Sequence, residues 1–309
     1  MCVLRISLLG RFHVHCDDQV MTGLDALKVQ ELFCYLLLYR DHPHRRETLA
    51  SMLWGDSLTA QSKKNLRQIL WHLQTTLAPY TGPTDGHVLV VEPEWVRFNS
   101  ESSLWLDVSM FEQAAALTHG VSGRDLDIQQ AQALQEAVQL YRGDLLEGWY
   151  QDWCLYERER LQNVYLTMLD KLMGYCEAQD QYEAGLDYGA RILRHDRARE
   201  RTHWQMMRLY YLAGDRTGAL RQYQRCVAAL DEELGVKPAA RTVALYEQIR
   251  ADQPRDPALA PGETSAAFDA VTLPQVLEHL SQIQRALADV QDQVQQHIDA
   301  VKRTLNGPP

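Results

Sequence analysis

An internal repeat of 34 residues is the feature that most constrains how this chain can fold. After a shift of 34 residues, the segment 180–181 falls on 214–215, and the small Gly185 falls on the small Ala219. The same shift superimposes apolar residues in the pairs Leu172/Met206, Met173/Met207, Tyr175/Leu209, Leu186/Leu220 and Leu193/Val227. A helix, a turn and a second helix fit this period, and small residues let neighbouring helices approach closely. The repeat therefore predicts two helical hairpins that stack on each other.

The repeat lies in a longer helical region, from Ser109 to about Asp252, where apolar residues recur at helical spacing. A period of 34 residues is typical of tetratricopeptide domains. Two interpretations are open for a group of aromatic and basic residues in this region, Trp149, Trp153, Tyr156 and Arg158. They could line a ligand-binding groove or pack between helices, and we favour packing because that is the commoner role of large aromatic side chains.

The N-terminal third of the chain changes its hydrophobic period several times. Alternating apolar residues predict strands over 3–16 and near 19–21, helical spacing predicts helices over 25–39, 45–54 and 59–77, and two short apolar runs at 88–91 and 95–98 predict a closing hairpin. A small sheet followed by three helices and a hairpin is the order of a winged helix-turn-helix. The hairpin would be its wing.

The third predicted helix, over 59–77, has one apolar face and one basic face. Its apolar stripe consists of Leu66, Ile69, Leu70, Leu73 and Leu77. Its opposite face carries Lys64, Arg67, Gln68, Trp71 and Thr75, and Lys63 lies near the edge of that face. No Asp or Glu occurs between Asp56 and Asp85, although the whole chain has a formal charge of -10. Such a helix has the chemistry to enter a DNA major groove; the alternative is an ordinary amphipathic helix with a solvated basic face.

Two parts of the chain resemble known modules. Residues 4 to 111 resemble the DNA-binding domain of SARP-type regulators, the antibiotic regulatory protein family of actinomycetes, through the motifs LLGRFHV, LLLY, ETLASMLW, NLRQILWHL and WLDVSMFE. The helical region resembles the bacterial transcriptional activator domain, through YRGDLLEG, DWCLYERERL, LYYLAGDRTGALRQYQRC, LDEELGVKP and TVALYEQI. The resemblance implies a transcriptional activator whose third helix reads the major groove of double-stranded DNA. It also implies self-association or contact with the transcription machinery by the helical module, with RNA polymerase as a candidate partner.

The candidate DNA contacts follow from the third helix and its neighbours. The candidates for base contact are Lys64, Arg67 and Gln68, and the candidates for phosphate contact are Lys63, Arg45, Arg46 and Arg97. Trp71, at the middle of the outward face, belongs to the same candidate set, although it fits protein contact as well as base contact.

Two departures from the family pattern support a different function. Where family members continue the third helix with arginines, this chain has polar, uncharged or weakly basic residues, namely His72, Gln74, Thr75 and Thr76. The turn of the wing carries Glu92 and Glu94, which would repel phosphates. An adaptor with a degenerate winged helix is therefore the alternative, and control by a small ligand is a further one.

A heptad pattern ends the chain. Residues 253–271 are rich in Pro and Ala and predict a flexible linker. Apolar residues then recur at alternating spacings of three and four, at Leu273, Val276, Leu280, Ile283, Leu287, Val290, Val294 and Val301. This pattern predicts a coiled coil over 272–305 that makes the protein a homo-oligomer, with a preference for more than two strands. The alternative is a helix that folds back on the helical domain.

The predicted fold class is mainly α, with a winged helix-turn-helix and small β-sheets over 1–107, a tetratricopeptide-like domain over 108–252, the linker and the coiled-coil helix. No phosphate-binding loop, nucleophile elbow or zinc motif is present. We therefore expect no enzyme activity, no cofactor and no metal. The six cysteines are scattered, which predicts reduced thiols. The absence of a signal peptide and of an 18-residue apolar segment predicts a cytoplasmic protein without membrane contact.

Overall fold

A four-stranded sheet opens the chain. The structure is a computed structural model that describes residues 4–16, 19–55, 60–80, 88–99 and 104–252. The strands of this sheet are β1 (Leu4–Ser7), β2 (His13–Cys16), β3 (Gln19–Val20) and β7 (Leu104–Leu106). Their order in the sheet is β3-β2-β1-β7. β1 to β3 form an antiparallel meander, whereas β7 runs parallel to β1 on its other edge, so that Ile6 lies between Val14 and Leu106. Leu4 and Ile6 are buried while Arg5 is exposed, which is the period of two that predicted a strand.

Three helices and a second, three-stranded sheet follow. The elements are α1 (Leu27–Leu38), β4 (His44–Arg45), α2 (Arg46–Trp54), α3 (Ala60–Leu77), β5 (Leu89–Val91) and β6 (Trp95–Phe98). β5 and β6 form the predicted hairpin, and β4 pairs with β6 to give the order β4-β6-β5. The three helices pack on one another around fully buried leucines such as Leu36, Leu49 and Leu70. The predicted winged helix-turn-helix is therefore confirmed.

Helices make up the rest of the described chain. They are α4 (Asp107–Leu117), α5 (Ile128–Leu140), α6 (Asp152–Ala178), α7 (Tyr182–His195), α8 (Glu200–Leu212), α9 (Arg216–Leu234) and α10 (Ala240–Ala251). The repeat corresponds to the hairpins α6–α7 and α8–α9. Its equivalent small residues, Gly185 and Ala219, are both buried. The tetratricopeptide-like arrangement is confirmed, because each helix packs against the next along the chain.

A clasp of main-chain hydrogen bonds joins the first sheet to the loop before α6. The Gly10 N–H donates to the Asp144 carbonyl (3.0 Å), and the Glu147 N–H donates to the Gly10 carbonyl (2.9 Å). The Leu146 N–H donates to the Leu8 carbonyl at 2.9 Å. Gly10 has a φ of +111°, a conformation that residues with a side chain rarely adopt. This explains the glycine in the motif LLGRFHV.

The buried carboxylate of Asp107 fixes the junction between β7 and α4. Its Oδ2 accepts hydrogen bonds from the N–H groups of Leu8 (2.8 Å) and Leu9 (2.9 Å), and its Oδ1 accepts one from Val108 (2.7 Å). Burial raises the pKa of the Asp107 carboxyl, and the three N–H donors oppose that shift by stabilising the charged form. Asp107 Oδ1 satisfies the N–H of Val108, and α4 begins at Asp107. The sequence pattern placed the start of this helix near Ser109.

Cys16 corrects one prediction. The scattered cysteines predicted reduced thiols, but Cys16, at the end of β2, is disulfide-bonded. Spacing along the chain does not show which cysteine side chains the fold brings within bonding distance. The other cysteines in the described ranges, Cys34, Cys154, Cys176 and Cys226, are free and buried.

The two C-terminal predictions, the linker 253–271 and the coiled-coil helix 272–305, lie outside the described residues. The division into domains after residue 107 also stays a prediction. Within the part of the chain that the structure describes, no helix is long and apolar enough to cross a membrane.

Candidate nucleic-acid interface

Helix α3 is held in place by its leucine stripe. Leu66, Leu70, Leu73 and Leu77 are all at most 1% exposed, and they pack α3 against α1 and α2. Burial of a leucine side chain stabilises a fold by about 1.5–3 kcal/mol, so these residues orient the helix strongly. Ile69, the fifth member of the predicted stripe, is only half-buried at its edge.

The opposite side of α3 faces solvent. The predicted contact residues on it, Lys63, Lys64, Arg67, Gln68 and Trp71, are all exposed. The helix contains no acidic residue along its 18 residues. Its outward side is therefore a strip of cations and amide groups on a firmly packed support.

A cleft beside α3 brings four of the predicted cations together. Arg45, Arg46, Lys63 and Arg67 line it, at the start of α2 and on the adjoining turns of α3. Its volume is about 340 Å³, the space of roughly ten water molecules. The pKa of the Arg46 guanidinium is lowered, first by burial and then by the nearby charge of Arg67. Neighbouring cations that repel one another are a suitable setting for a phosphate group, which would relieve the repulsion.

Two acidic residues share this cleft. Glu47 Oε1 accepts a hydrogen bond from Lys63 Nζ at 2.8 Å, and this ion pair lowers the pKa of the exposed Glu47 carboxyl. Glu94, in the turn of the wing, also lines the cleft. The free protein therefore neutralises part of its own positive charge at the point where a phosphate would bind.

The wing is tied to the start of α2. The Arg46 N–H donates to the Glu94 carbonyl (2.9 Å), and Arg46 Nη1 donates to the Glu92 carbonyl (3.2 Å). Arg45 holds its guanidinium 5.2 Å from the centre of the Trp95 ring, within the range of a cation–π contact. Arg97, in contrast, is exposed on β6 and does not line the cleft. The wing thus positions Arg45 and Arg46, and Arg97 stands apart from them.

Comparison with known families identifies the helical module. Residues 106–250 match the family of the bacterial transcriptional activator domain. The transcriptional regulatory protein MoaR1 of Mycobacterium bovis (strain BCG / Pasteur 1173P2) is 25% identical over 235 residues, which are 75% of each chain. MoaR1 of Mycobacterium tuberculosis (strain ATCC 25618 / H37Rv) matches with the same identity and coverage.

A solved structure has the same fold. Mycobacterium tuberculosis EmbR, in complex with a low affinity phosphopeptide, superimposes with a TM-score of 0.61 at 21% sequence identity, over 90% of this chain and 72% of that one. These matches support a SARP-type transcriptional regulator. The resemblance drawn from the sequence motifs is thereby confirmed, and so is transcription regulation as the general function.

Two residues at or beside the cleft of this regulator were not predicted as contacts from the sequence, Glu47 and Trp95. Glu47 lies in the first turn of α2 and meets Lys63 only because α2 packs on α3, so no local pattern signals the pair. Trp95 had a signal. Val96 is buried, and the alternation along β6 therefore places Trp95 and Arg97 on the opposite face from it. On that face, the sequence pattern led us to predict Arg97 as a phosphate contact but gave Trp95 no role.

In the helical module of this regulator, three of the four residues considered for a ligand groove pack inside the protein. Trp153 stacks edge-on against Tyr35 of α1, with ring centres 5.5 Å apart, and also contacts Trp149. Arg158 donates hydrogen bonds to the backbone carbonyls of the loop at 145–149. Tyr156 differs, because it is exposed. Contacts within the protein therefore account for Trp149, Trp153 and Arg158, and the contact of Trp153 with α1 is packing between helices, the favoured interpretation.

The predicted oligomerisation residues of the regulator, Leu273, Val276, Leu280, Ile283, Leu287, Val290, Val294 and Val301, lie outside the described residues. Their role stays a prediction.

Proposed function

We propose that this regulator binds duplex DNA by inserting α3 into the major groove. The observation that carries the proposal is the acid-free, exposed side of α3 next to a cleft lined by Arg45, Arg46, Lys63 and Arg67. A helix that is buried on one side and cationic on the other meets the geometric need of major-groove reading. The neighbouring cleft supplies the phosphate contact that sets the register of the helix on the duplex.

The exposed residues divide into two roles under this proposal. Lys64, Arg67 and Gln68 point along the outward side of α3 and are assigned to base edges. Arginine and lysine pair with guanine, and glutamine pairs with adenine. The residues assigned to phosphates are Lys63, Arg45, Arg46 and Arg97.

Activation and assembly belong to the same proposal. A single winged helix with few phosphate contacts binds weakly, and joining several copies multiplies affinity because each bound copy raises the effective concentration of the next. The predicted coiled coil would provide that joining. The helical module would then contact RNA polymerase, in the cytoplasm, to activate transcription.

The test begins with genomic fragments that the full-length protein retains in a genome-wide pull-down. Arg67→Ala should weaken binding to such a fragment by about 1–3 kcal/mol, the worth of one base contact, in a gel-shift titration at fixed salt. Arg221→Ala is the matched control, because Arg221 is an exposed arginine on α9 and should leave binding unchanged. Equal binding by Arg67→Ala and the wild type would contradict the proposal.

The acidic residues in the cleft favour a second candidate function, an adaptor that assembles other proteins through its helical module. Glu47 already forms an ion pair with Lys63, and Glu94 lines the same cleft. The salt dependence of binding to random duplex DNA separates the two functions. A protein that neutralises several phosphates shows a slope of several units in log Kd against log salt, and an adaptor shows a slope near zero.

A further inference from the structure

Trp71 is a large apolar side chain left in solvent on the exposed side of α3, one turn after Arg67. It is 65% exposed. Its indole makes no hydrogen bond, ring contact or cation contact with another residue in the described ranges. Only its backbone is engaged, since its carbonyl accepts a hydrogen bond from Thr75 Oγ1 at 2.8 Å. Packing inside this protein therefore does not account for the tryptophan.

The position of Trp71 along α3 matches the floor of a groove. Lys64 lies seven residues before it and Thr75 four residues after it, on the same exposed side. At 1.5 Å per residue this strip is about 16 Å long, and the major groove is about 12 Å wide. When the ends of the strip face the two backbones, Trp71 faces the base pairs between them.

The neighbours of Trp71 favour DNA over protein as its partner. The exposed side chains around it are Lys64, Arg67, Gln68 and Thr75. The core of a protein–protein interface is enriched in tryptophan and arginine but depleted of lysine, and its apolar groups form a larger patch. Trp71 is a single apolar group beside Lys64, Arg67 and Gln68, and a polyanion with apolar groups between its charges complements that pattern.

The major groove offers one apolar group at the base edges, the C5-methyl of thymine. We infer that Trp71 is a specificity-determining residue that packs its indole ring against thymine methyl groups. This inference rests on the proposed function, because it requires α3 to enter the major groove. It adds a preference that Lys64, Arg67 and Gln68 cannot provide, since they recognise hydrogen-bonding groups.

The test removes the C5-methyl group of thymine from the duplex and leaves the base pair unchanged. Duplexes that the full-length wild type selects from a random library are resynthesised with deoxyuridine in place of thymidine, one position at a time. Binding is measured by fluorescence anisotropy at fixed salt. Each methyl that the indole covers should cost about fourfold in Kd when it is removed, the worth of one buried methyl-sized group. The loss should be confined to one or two adjacent positions.

Trp71→Ala should then bind the thymidine and deoxyuridine duplexes equally. Leu27→Ala is the matched control, because Leu27 is 68% exposed at the start of α1, outside the strip, and this variant should keep the thymine preference. Trp71→Phe should keep part of that preference, since a smaller ring still covers the methyl.

Two results would overturn the inference. The first is a wild type that binds both duplexes equally, and the second is a Trp71→Ala variant that keeps the thymine preference; both leave the proposed function intact. In the second case, smaller assemblies of the variant in light scattering would assign Trp71 to a protein contact. A wild type that retains no duplex would overturn the proposed function as well.

Discussion

At the scale of single residues, the cleft beside α3 is a balance between cations and acids. Lys63 and Glu47 are both more than half exposed, so their ion pair adds little to stability. Its effect on a ligand is larger, because a phosphate must compete with the Glu47 carboxylate for the same ammonium group. The hydrogen bond and charge of Lys63 lower the pKa of the Glu47 carboxyl, which favours its charged form.

Glu47→Gln should therefore tighten DNA binding several-fold. The substitution frees Lys63 from its ion pair and removes one negative charge from the cleft beside α3. The slope of log Kd against log salt should therefore also become steeper by about one unit. Both quantities come from anisotropy titrations over a range of salt. Glu183→Gln, which changes an exposed glutamate on α7, is the control and should alter neither. A Glu47→Gln variant that binds as the wild type does would show that no phosphate reaches this cleft.

At the scale of secondary-structure elements, two glycines let a short turn lie directly on α6. Gly123 belongs to the 3₁₀ turn Gly123–Asp125, and a Cβ at its position would lie 2.9 Å from Lys171 Cα and collide with the Lys171 carbonyl oxygen. Gly174, one turn further along α6, faces Gly123 in return. Because the obstacle is backbone, it cannot move aside as a side chain would.

Gly123→Ala should lower the free energy of unfolding by about 1–3 kcal/mol, the cost of overpacking a tight contact. Urea denaturation followed by circular dichroism measures the change. Ser122→Ala alters the neighbouring exposed residue, whose side chain makes no capping hydrogen bond, and it should stay within about 0.5 kcal/mol of the wild type. Equal stability of Gly123→Ala and Ser122→Ala would show that the turn can shift away from α6.

The elements themselves were largely predictable, because they depend on local patterns. The leucine stripe placed the third helix at 59–77, and α3 spans Ala60–Leu77. The start of α4 was misplaced because its first residue, Asp107, is held by a hydrogen bond from Leu8, which is 99 residues away. The cleft beside α3 was predictable only as separate cations. Its assembly depends on how α2, α3 and the wing pack, and periodicity does not report that packing.

At the scale of the whole molecule, the predicted coiled coil decides how many α3 helices meet the DNA. Leu280→Asp together with Leu287→Asp should place charges in the predicted seam and dissociate the protein, which light scattering would show as a fall in mass. Gln284→Asp with Gln291→Asp adds the same charge beside the seam and should lower the mass less. Affinity for selected DNA should fall about 100-fold or more with the seam variant, because avidity is lost. An unchanged mass would contradict self-association through 272–305.

The clasp at Gly10 bears on how a signal could travel through this regulator. Strand β1 hydrogen-bonds to β7 on one edge, and its end is held by the loop before α6 through Leu146. Because these hydrogen bonds join main chain to main chain, we expect the first sheet and the helical module to move together when a signal acts on that module.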